Sequence, residues 1–501
     1  MAIYWVTHWL HWSSPIIHKA IVMLFNSIYY LIFFPVVTLL YFCLPHSYRW
    51  LLLLVASCVF YMTFIPVYIL ILFLTILIDY YASIYIEHAT GTVRKRLLNL
   101  SITSTCLVLF VFKYLGFFNN NLEVLAEFIG WNYPITALNI ILPIGLSFHT
   151  FQSLSYVIEV YRGNQKPEKH IGIYSLYVMF YPQLVAGPIE RPQNLLHQFH
   201  EEKRFDYANV TAGLRLIVWG LFKKVVIADR LAIYVNTVYD EPTQFGGPVL
   251  VLATVAFAYQ IYCDFSGYSD IAIGSARVMG FTLMKNFNAP YFSQSITEFW
   301  KRWHISLSTW FRDYLYVPLG GNRVSRWKFY RNILITFAVS GLWHGANWTY
   351  IIWGGLNGVY LIVGHLSVGW RVRFCELIGM SSHRMLLVGF RVVTTFTLIC
   401  VAWVFFRSNS LSDAWHIITH LTSGWGGVWQ SVHAFSDLDV TVSIGAIVVL
   451  ESVQWLQETP SRSNRLMLLP VYFRWSVYYC LLASILVFGV FDATQFIYFQ
   501  F

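Results

Sequence analysis

The chain has 501 residues, 57% of them hydrophobic and only 11% charged, which excludes an ordinary soluble globular protein and makes lipid the solvent for most of the molecule. Its net charge of +9 does not point to nucleic acid, because Lys and Arg sit mainly in short connectors between apolar runs, as the positive-inside rule requires. Seven scattered cysteines, Cys43, Cys58, Cys106, Cys263, Cys375, Cys400 and Cys480, show no CxxC spacing, so neither a disulfide framework nor a metal site is expected.

Residues 1–22 stand apart. Trp5, Trp9 and Trp12 are spaced like one helical face, which suits an interfacial helix; the alternative is an extension without a role, arising from an upstream start. No small-residue cleavage site follows the first apolar run, so a cleavable signal peptide is not expected. From residue 23 to 501 the pattern predicts one integral-membrane domain.

Stretches free of Asp, Glu, Lys and Arg run over Ile21–Leu44, Trp50–Ile78, Asn139–Ile158 and Asn332–Trp370. At about 20 residues per span, length and gaps predict an all-α polytopic protein with roughly 11 to 13 transmembrane helices. Pro66 is expected to divide Trp50–Ile86 into two helices. Arg49, the Arg94-Lys95-Arg96 cluster, and Arg162, Lys166 and Lys169 then share one side, which should be the cytoplasm. The connector from Phe112 to Asn139, with Lys113, Glu123 and Glu127, falls on the other.

Further along, Asp264 and Asp270 interrupt the apolar stretch Val249–Ala276. Such carboxylates are costly in a membrane. They either line a substrate path or orient a histidine, or are paired locally while Ser266, Gly267 and Ser269 pack helices. Arg277–Arg331 mixes basic and aromatic residues without a span-length apolar run, the pattern of interfacial or re-entrant helices. Within it Ser295-Ile-Thr-Glu298 reads as a capping box opening a helix that ends near Pro318 and Gly320-Gly321. On that helix His304, Ser308 and Arg312 are predicted to form one polar stripe. His304 there either faces a polar cavity or sits at the headgroup boundary beside Lys301 and Arg302.

Asn332–Trp370 has the length of two spans, and Gly341 and Gly345 bracket His344 where the first should give way to the second. Irregular backbone and ionisable groups persist at membrane depth only when buried in protein or lining a wet cavity. His344 is therefore a candidate functional residue, the competing reading being a histidine that bonds a neighbouring helix. Imidazole is suited to taking a proton from a hydroxyl near neutral pH. No GxSxG elbow, Walker loop or GxGxxG element is present, which favours direct transfer to an acceptor hydroxyl over a covalent serine enzyme.

Taken in order, Met23-Leu-Phe-Asn-Ser27, Leu142-Pro-Ile-Gly-Leu-Ser147, Phe180-Tyr-Pro-Gln-Leu-Val-Ala-Gly-Pro188, Asp264-Phe-Ser-Gly-Tyr-Ser-Asp270, Phe299-Trp-Lys-Arg-Trp-His304, Trp343-His-Gly345 and Phe496-Ile-Tyr-Phe-Gln-Phe501 resemble the membrane-bound O-acyltransferase family, in its bacterial alginate O-acetyltransferase branch. The resemblance covers nearly the whole chain after residue 22. It implies a ring of helices around a thin centre with a catalytic tunnel, His344 as the essential intramembrane histidine and His304 as its companion. It further implies acetyl transfer from a thioester donor, acetyl-CoA, at the inner membrane to an extracytoplasmic polysaccharide such as alginate, with a periplasmic esterase-like partner of the SGNH type and no permanently bound cofactor or metal. Asp264, Asp270, Ser308, Trp343 and Asn347 are then supporting or substrate-path residues, and Lys301, Arg302 and Arg312 are donor-binding candidates whose other reading is positive-inside anchoring. His149 stands where the family often carries an aromatic residue. A membrane transporter and a non-catalytic scaffold of a polysaccharide-export complex are the competing functions.

Overall fold

The computed structural model describes residues 23–134, 142–425, 437–458, 470–491 and 496–499, and the regular structure among them is helical. The N-terminal segment with Trp5, Trp9 and Trp12, and Gln500 and Phe501 of the C-terminal motif, lie outside these residues.

Among the described residues the first helices are α1 (Ile28–Cys43), capped by Ser27, and α2 (His46–Met62). A short 3₁₀ turn at Pro66–Tyr68 separates α2 from α3 (Ile69–His88); Pro66 divides the apolar run as expected, because proline lacks the N–H that a continuing helix would use. The helix α4 (Gly91–Leu109) passes through a π turn at Phe110–Tyr114 into α5 (Leu115–Phe128). Lys113 thus belongs to a helix that is continuous from Gly91 to Phe128, rather than to the connector expected from charge spacing. One ionisable residue in an otherwise apolar run looks like the edge of a span, whereas here the cation finds carbonyls inside the protein.

After α6 (Leu146–Arg162) and α7 (Ile171–Met179) comes the paired unit α8 (Tyr207–Leu221), a π turn at Phe222–Ala228, α9 (Asp229–Asp240) and α10 (Gly247–Val278). Two glycine contacts let α8 and α10 touch backbone to backbone. A Cβ on Gly213 would lie 2.6 Å from the Gly274 carbonyl oxygen, and one on Gly220 would lie 2.6 Å from that of Gly267. This is the small-residue packing that membrane helices use when apolar burial gives no preference for protein over lipid. Helix α10 is consequently enclosed along most of its length.

Two short helices follow, α11 (Ile296–Arg302) and α12 (Ile305–Phe311). Then come α13 (Arg326–His344), α14 (Trp348–Leu366), α15 (Val368–Leu377), α16 (Arg384–Arg407), α17 (Leu411–His420), α18 (Asp437–Gln457) and α19 (Val471–Phe488). Among the described residues six helices are long and apolar enough to cross a membrane, or seven if α14 and α15, bent by 63°, form one span. This is fewer than the expected 11 to 13, and several further helices are shorter or more polar. Helices α1, α2 and α6 have 16 or 17 residues, below the usual span length, and α13 carries Arg326, Lys328 and Arg331 in its first two turns.

Of the basic residues assigned to one side, Arg94 and Arg162 form bonds around one short stretch, Tyr161 and Arg162. Arg94 donates to the Tyr161 carbonyl at 2.7 Å, and Arg162 donates to that of Asp313 at 3.1 Å. Arg191 bridges to the Asp313 carboxylate at 3.4 Å. Helix α13 itself starts at Arg326 and ends at His344.

Candidate active site

His344 is the last residue of α13, followed by an extended Gly345. Packing dictates the glycines here. A Cβ on Gly341 would meet the Tyr350 carbonyl oxygen at 2.2 Å, and one on Gly345 would enter the Tyr350 ring at the same distance. The chain re-enters a helix at Trp348, where the Asn347 side chain accepts from the Thr349 N–H at 3.1 Å. Asn347 is thus a helix cap beside the break.

The His344 side chain is 3% exposed and sits in an aromatic cage. Its ring centroid is 4.9 Å from those of Trp343 and Trp353, 5.4 Å from Phe406 and 5.6 Å from Tyr498. Its Nδ1 is buried without a hydrogen-bond partner among the described residues. A buried polar atom left unpaired costs stability, and His344 also lines a cavity from which such a partner could come.

His304 is fully buried and is not part of a continuous stripe. The helix breaks at it: His304 has φ 42°, a left-handed conformation that is unusual for a non-glycine residue, and it precedes α12 rather than lying within it. Such strain costs on the order of 1–3 kcal/mol and persists only when surrounding structure imposes it. Asn286 is the imposing group. Its carbonyl oxygen accepts from the Ile305 N–H at 2.9 Å, while its side-chain oxygen accepts from the Ser306 N–H at 3.3 Å and the Ser306 hydroxyl at 2.9 Å. The same oxygen lies 3.2 Å from His304 Nδ1. A backbone N–H can only donate, which fixes that atom as oxygen and assigns the His304 proton to Nδ1. Nε2 is left as a lone pair with no partner among the described residues.

The two histidines share neighbours. Trp343 and Tyr498 each lie 6.4 Å from the His304 ring, and both also flank His344. Trp343 stacks on Phe151 of α6 at 5.1 Å, and Phe148 of the same helix stacks on His304 at 6.3 Å.

Two open spaces approach His344 from the far end of α13. A small one is lined by Lys113, Gly145, Ser147, Phe148, Trp343, His344 and Tyr498. A larger one of about 390 Å³ is lined by Lys113, Asn347, Tyr350, Arg407 and Asn409. A third cavity of about 450 Å³ runs along α13 past Ile333 and Phe337 to Ser340, one turn before His344. Lys301, Ser308, Arg312 and His365 line it. Ser308 and Arg312 therefore face this cavity, apart from His304, because the break at His304 rotates α12 relative to α11. Arg302 points elsewhere, in ion pairs with Glu298 at 2.8 Å and with Glu458.

Comparison with known proteins identifies this architecture. Residues 170–407 match the family model described as MBOAT, membrane-bound O-acyltransferase family. A probable alginate O-acetylase of Pseudomonas aeruginosa is 40% identical over 412 residues, 81% of this chain and 76% of the relative. A peptidoglycan O-acetyltransferase of Helicobacter pylori is 33% identical over 82% of this chain and 81% of its own length. A teichoic acid D-alanyltransferase of Bacillus subtilis is 28% identical over 54% of this chain and 70% of its own. The chain belongs to the membrane-bound O-acyltransferase family. It is an O-acyltransferase and a multi-pass membrane protein, and membership in this enzyme family replaces both the transporter and the non-catalytic scaffold.

Within this O-acyltransferase the two aspartates are held by partners that the sequence reading did not single out. Asp264 bridges to Lys224 at 2.7 Å, and Lys224 also bridges to Asp229 at 2.7 Å. Asp270 bridges to Lys223 at 2.7 Å, and Lys223 donates to the Ser266 hydroxyl at 2.9 Å. Both lysines come from the π turn at the end of α8. Asp264 does reach the site indirectly, since it accepts from the Ile497 N–H at 2.9 Å and so anchors the segment bearing Tyr498. His149 lies 2.6 Å from the Thr75 hydroxyl and does not line the His344 cavity. Nothing local in the sequence marks Asn286 or Tyr498 either. Tyr498 lay within a recognised motif, but nothing local indicated that the motif folds back between the histidines.

Proposed function

We propose that this chain transfers an acetyl group from a cytoplasmic thioester, acetyl-CoA, across the inner membrane for O-acetylation of an extracytoplasmic polysaccharide such as alginate, with His344 as general base. The single observation that carries this reading is the position of His344. It is a buried imidazole with an unpaired nitrogen, at a helix break approached by cavities from both ends of α13.

In the proposed step the imidazole takes the hydroxyl proton as the oxygen bonds to the thioester carbonyl carbon. The carbon–sulfur bond then breaks, and the proton passes to sulfur, giving an ester and a free thiol. His304 Nε2 assists in placing the thioester or the proton. The cavity that runs along α13 suits the donor, because Lys301 and Arg312 at its wall supply the positive charge that phosphates seek. Asn347 and Trp343 shape the acceptor side, where an esterase-like periplasmic partner of the SGNH type would receive or use the acetyl group.

The relatives' names, an alginate O-acetylase and a peptidoglycan O-acetyltransferase, support acetyl as the group and a glycan as its destination. The test is the acetyl content of surface polysaccharide, by mass spectrometry, in cells carrying wild type or His344→Ala at equal abundance. Loss of the ester is expected. Unchanged acetylation would remove His344 from the chemistry.

A further inference from the structure

The end of α13 carries the candidate catalytic histidine, and a helix end leaves its last four carbonyls without intrahelical partners. Here every one is satisfied. The Gly341 carbonyl accepts from the Gly345 N–H at 3.3 Å. The other three are met from a single π turn more than 200 residues away in sequence. The Tyr114 hydroxyl donates to the Leu342 carbonyl at 3.0 Å, and the Lys113 ammonium donates to those of Trp343 at 2.7 Å and His344 at 3.1 Å.

A lysine within an apolar helix is expensive, and among the described residues no carboxylate pairs with Lys113 within ion-pair distance. What offsets its charge is the negative end of the α13 dipole together with the face of Trp343, whose ring centroid is 5.8 Å away. The π turn that presents Lys113 and Tyr114 interrupts an otherwise regular helix from Gly91 to Phe128, and such bulges often occur at functional sites. The same helix also steadies the far side of the break. Asn121 accepts from Trp348 Nε1 at 2.9 Å, and Phe117 packs on the Trp348 ring at 5.8 Å. Lys113 lines both spaces that approach His344 from this side.

We infer that Lys113 is a positioning residue for the acyl transfer: its ammonium clamps the carbonyls of Trp343 and His344, ends α13 at that point and thereby sets where the His344 ring sits. The inference rests on the proposed role of His344. The clamp has no part in holding the donor, so its removal should slow turnover and leave the concentration dependence on donor unchanged.

The test uses membranes containing the full chain and its native polysaccharide system, with initial rates of acetyl transfer measured against acetyl-CoA concentration and normalised to the amount of folded protein. Lys113→Met keeps the stem and removes the donors. It should lower kcat by up to about 100-fold, the cost of a misplacement near 1 Å, with KM for acetyl-CoA unchanged. Lys113→Arg, which can still donate to both carbonyls, should recover most of the rate, and Tyr114→Phe should cause a smaller loss of the same kind. Wild-type kcat in Lys113→Met would overturn the inference. So would a loss confined to protein abundance, or a rise in KM alone. Should Lys113→Met prevent folding, Tyr114→Phe decides: a fall in kcat at constant KM supports the clamp, and an unchanged kcat refutes it. His344→Ala is assayed alongside. An active His344→Ala enzyme would defeat the proposed function itself, whereas an inactive His344→Ala with a normal Lys113→Met would defeat the clamp alone.

Discussion

Two groups of buried ionisable residues in this molecule follow opposite rules. Between α8 and α10, Lys224 is 1% exposed and bridges both Asp229 and Asp264, while Lys223 meets Asp270 and Ser266. Around the break after α13, His344 keeps an unpaired Nδ1 and His304 an unpaired Nε2. Burying a charge is tolerable when it is paired and hydrogen-bonded, and leaving one member without its partner is strongly destabilising. The first group is organised as structure, and the second leaves hydrogen-bonding capacity open to a ligand. An unpaired ring nitrogen alone does not mark chemistry, since His149 Nδ1 is unpaired as well; what sets His344 apart is that it also lines a cavity.

The comparison can be broken most forcefully at Lys224. Lys224→Met would strand two buried carboxylates and should cost about 3–5 kcal/mol, seen as a large fall in the amount of extractable folded protein; normal abundance and thermal stability would show that the network is not structural. His304→Ala should do the reverse. Abundance should stay near wild type while polysaccharide acetylation falls by about 100-fold, and a loss of protein with unchanged activity per molecule would move His304 to the structural group. The smallest effect is expected at Asp270, which is 22% exposed. Lys223 is itself buried, so Asp270→Asn should still cost about 1–3 kcal/mol, less than Lys224→Met because the new amide oxygen and Ser266 remain as acceptors. It should leave the acetylation rate per folded molecule close to wild type.

Much of this arrangement was legible locally. Proline at position 66 and the glycines around His344 interrupt apolar runs, and such punctuation can be read without knowing what packs nearby. The capping box was equally local: the Ser295 hydroxyl accepts from the Glu298 N–H at 3.2 Å, and the Glu298 carboxylate reaches back to the Gln294 N–H at 2.9 Å. The break at His304 was hidden, because Trp303 and His304 continue a helical pattern while the left-handed turn is imposed by Asn286, 18 residues earlier. Lys113 was hidden for the same reason. A cation in an apolar run signals a span boundary unless its acceptors are known, and these lie some 230 residues away. Family motifs located His344 and His304, but the partners that hold them are long-range contacts that no periodicity encodes.

The central claim is that His344 performs the proton transfer in acyl transfer to oxygen. Its most direct test is the release of free thiol from acetyl-CoA by membranes containing the full chain, its acceptor system and equal amounts of wild-type or His344→Ala protein. Wild type should release thiol in step with ester formation, and His344→Ala should release it only at the background rate. Thiol release and ester formation at the wild-type rate in His344→Ala would contradict the account.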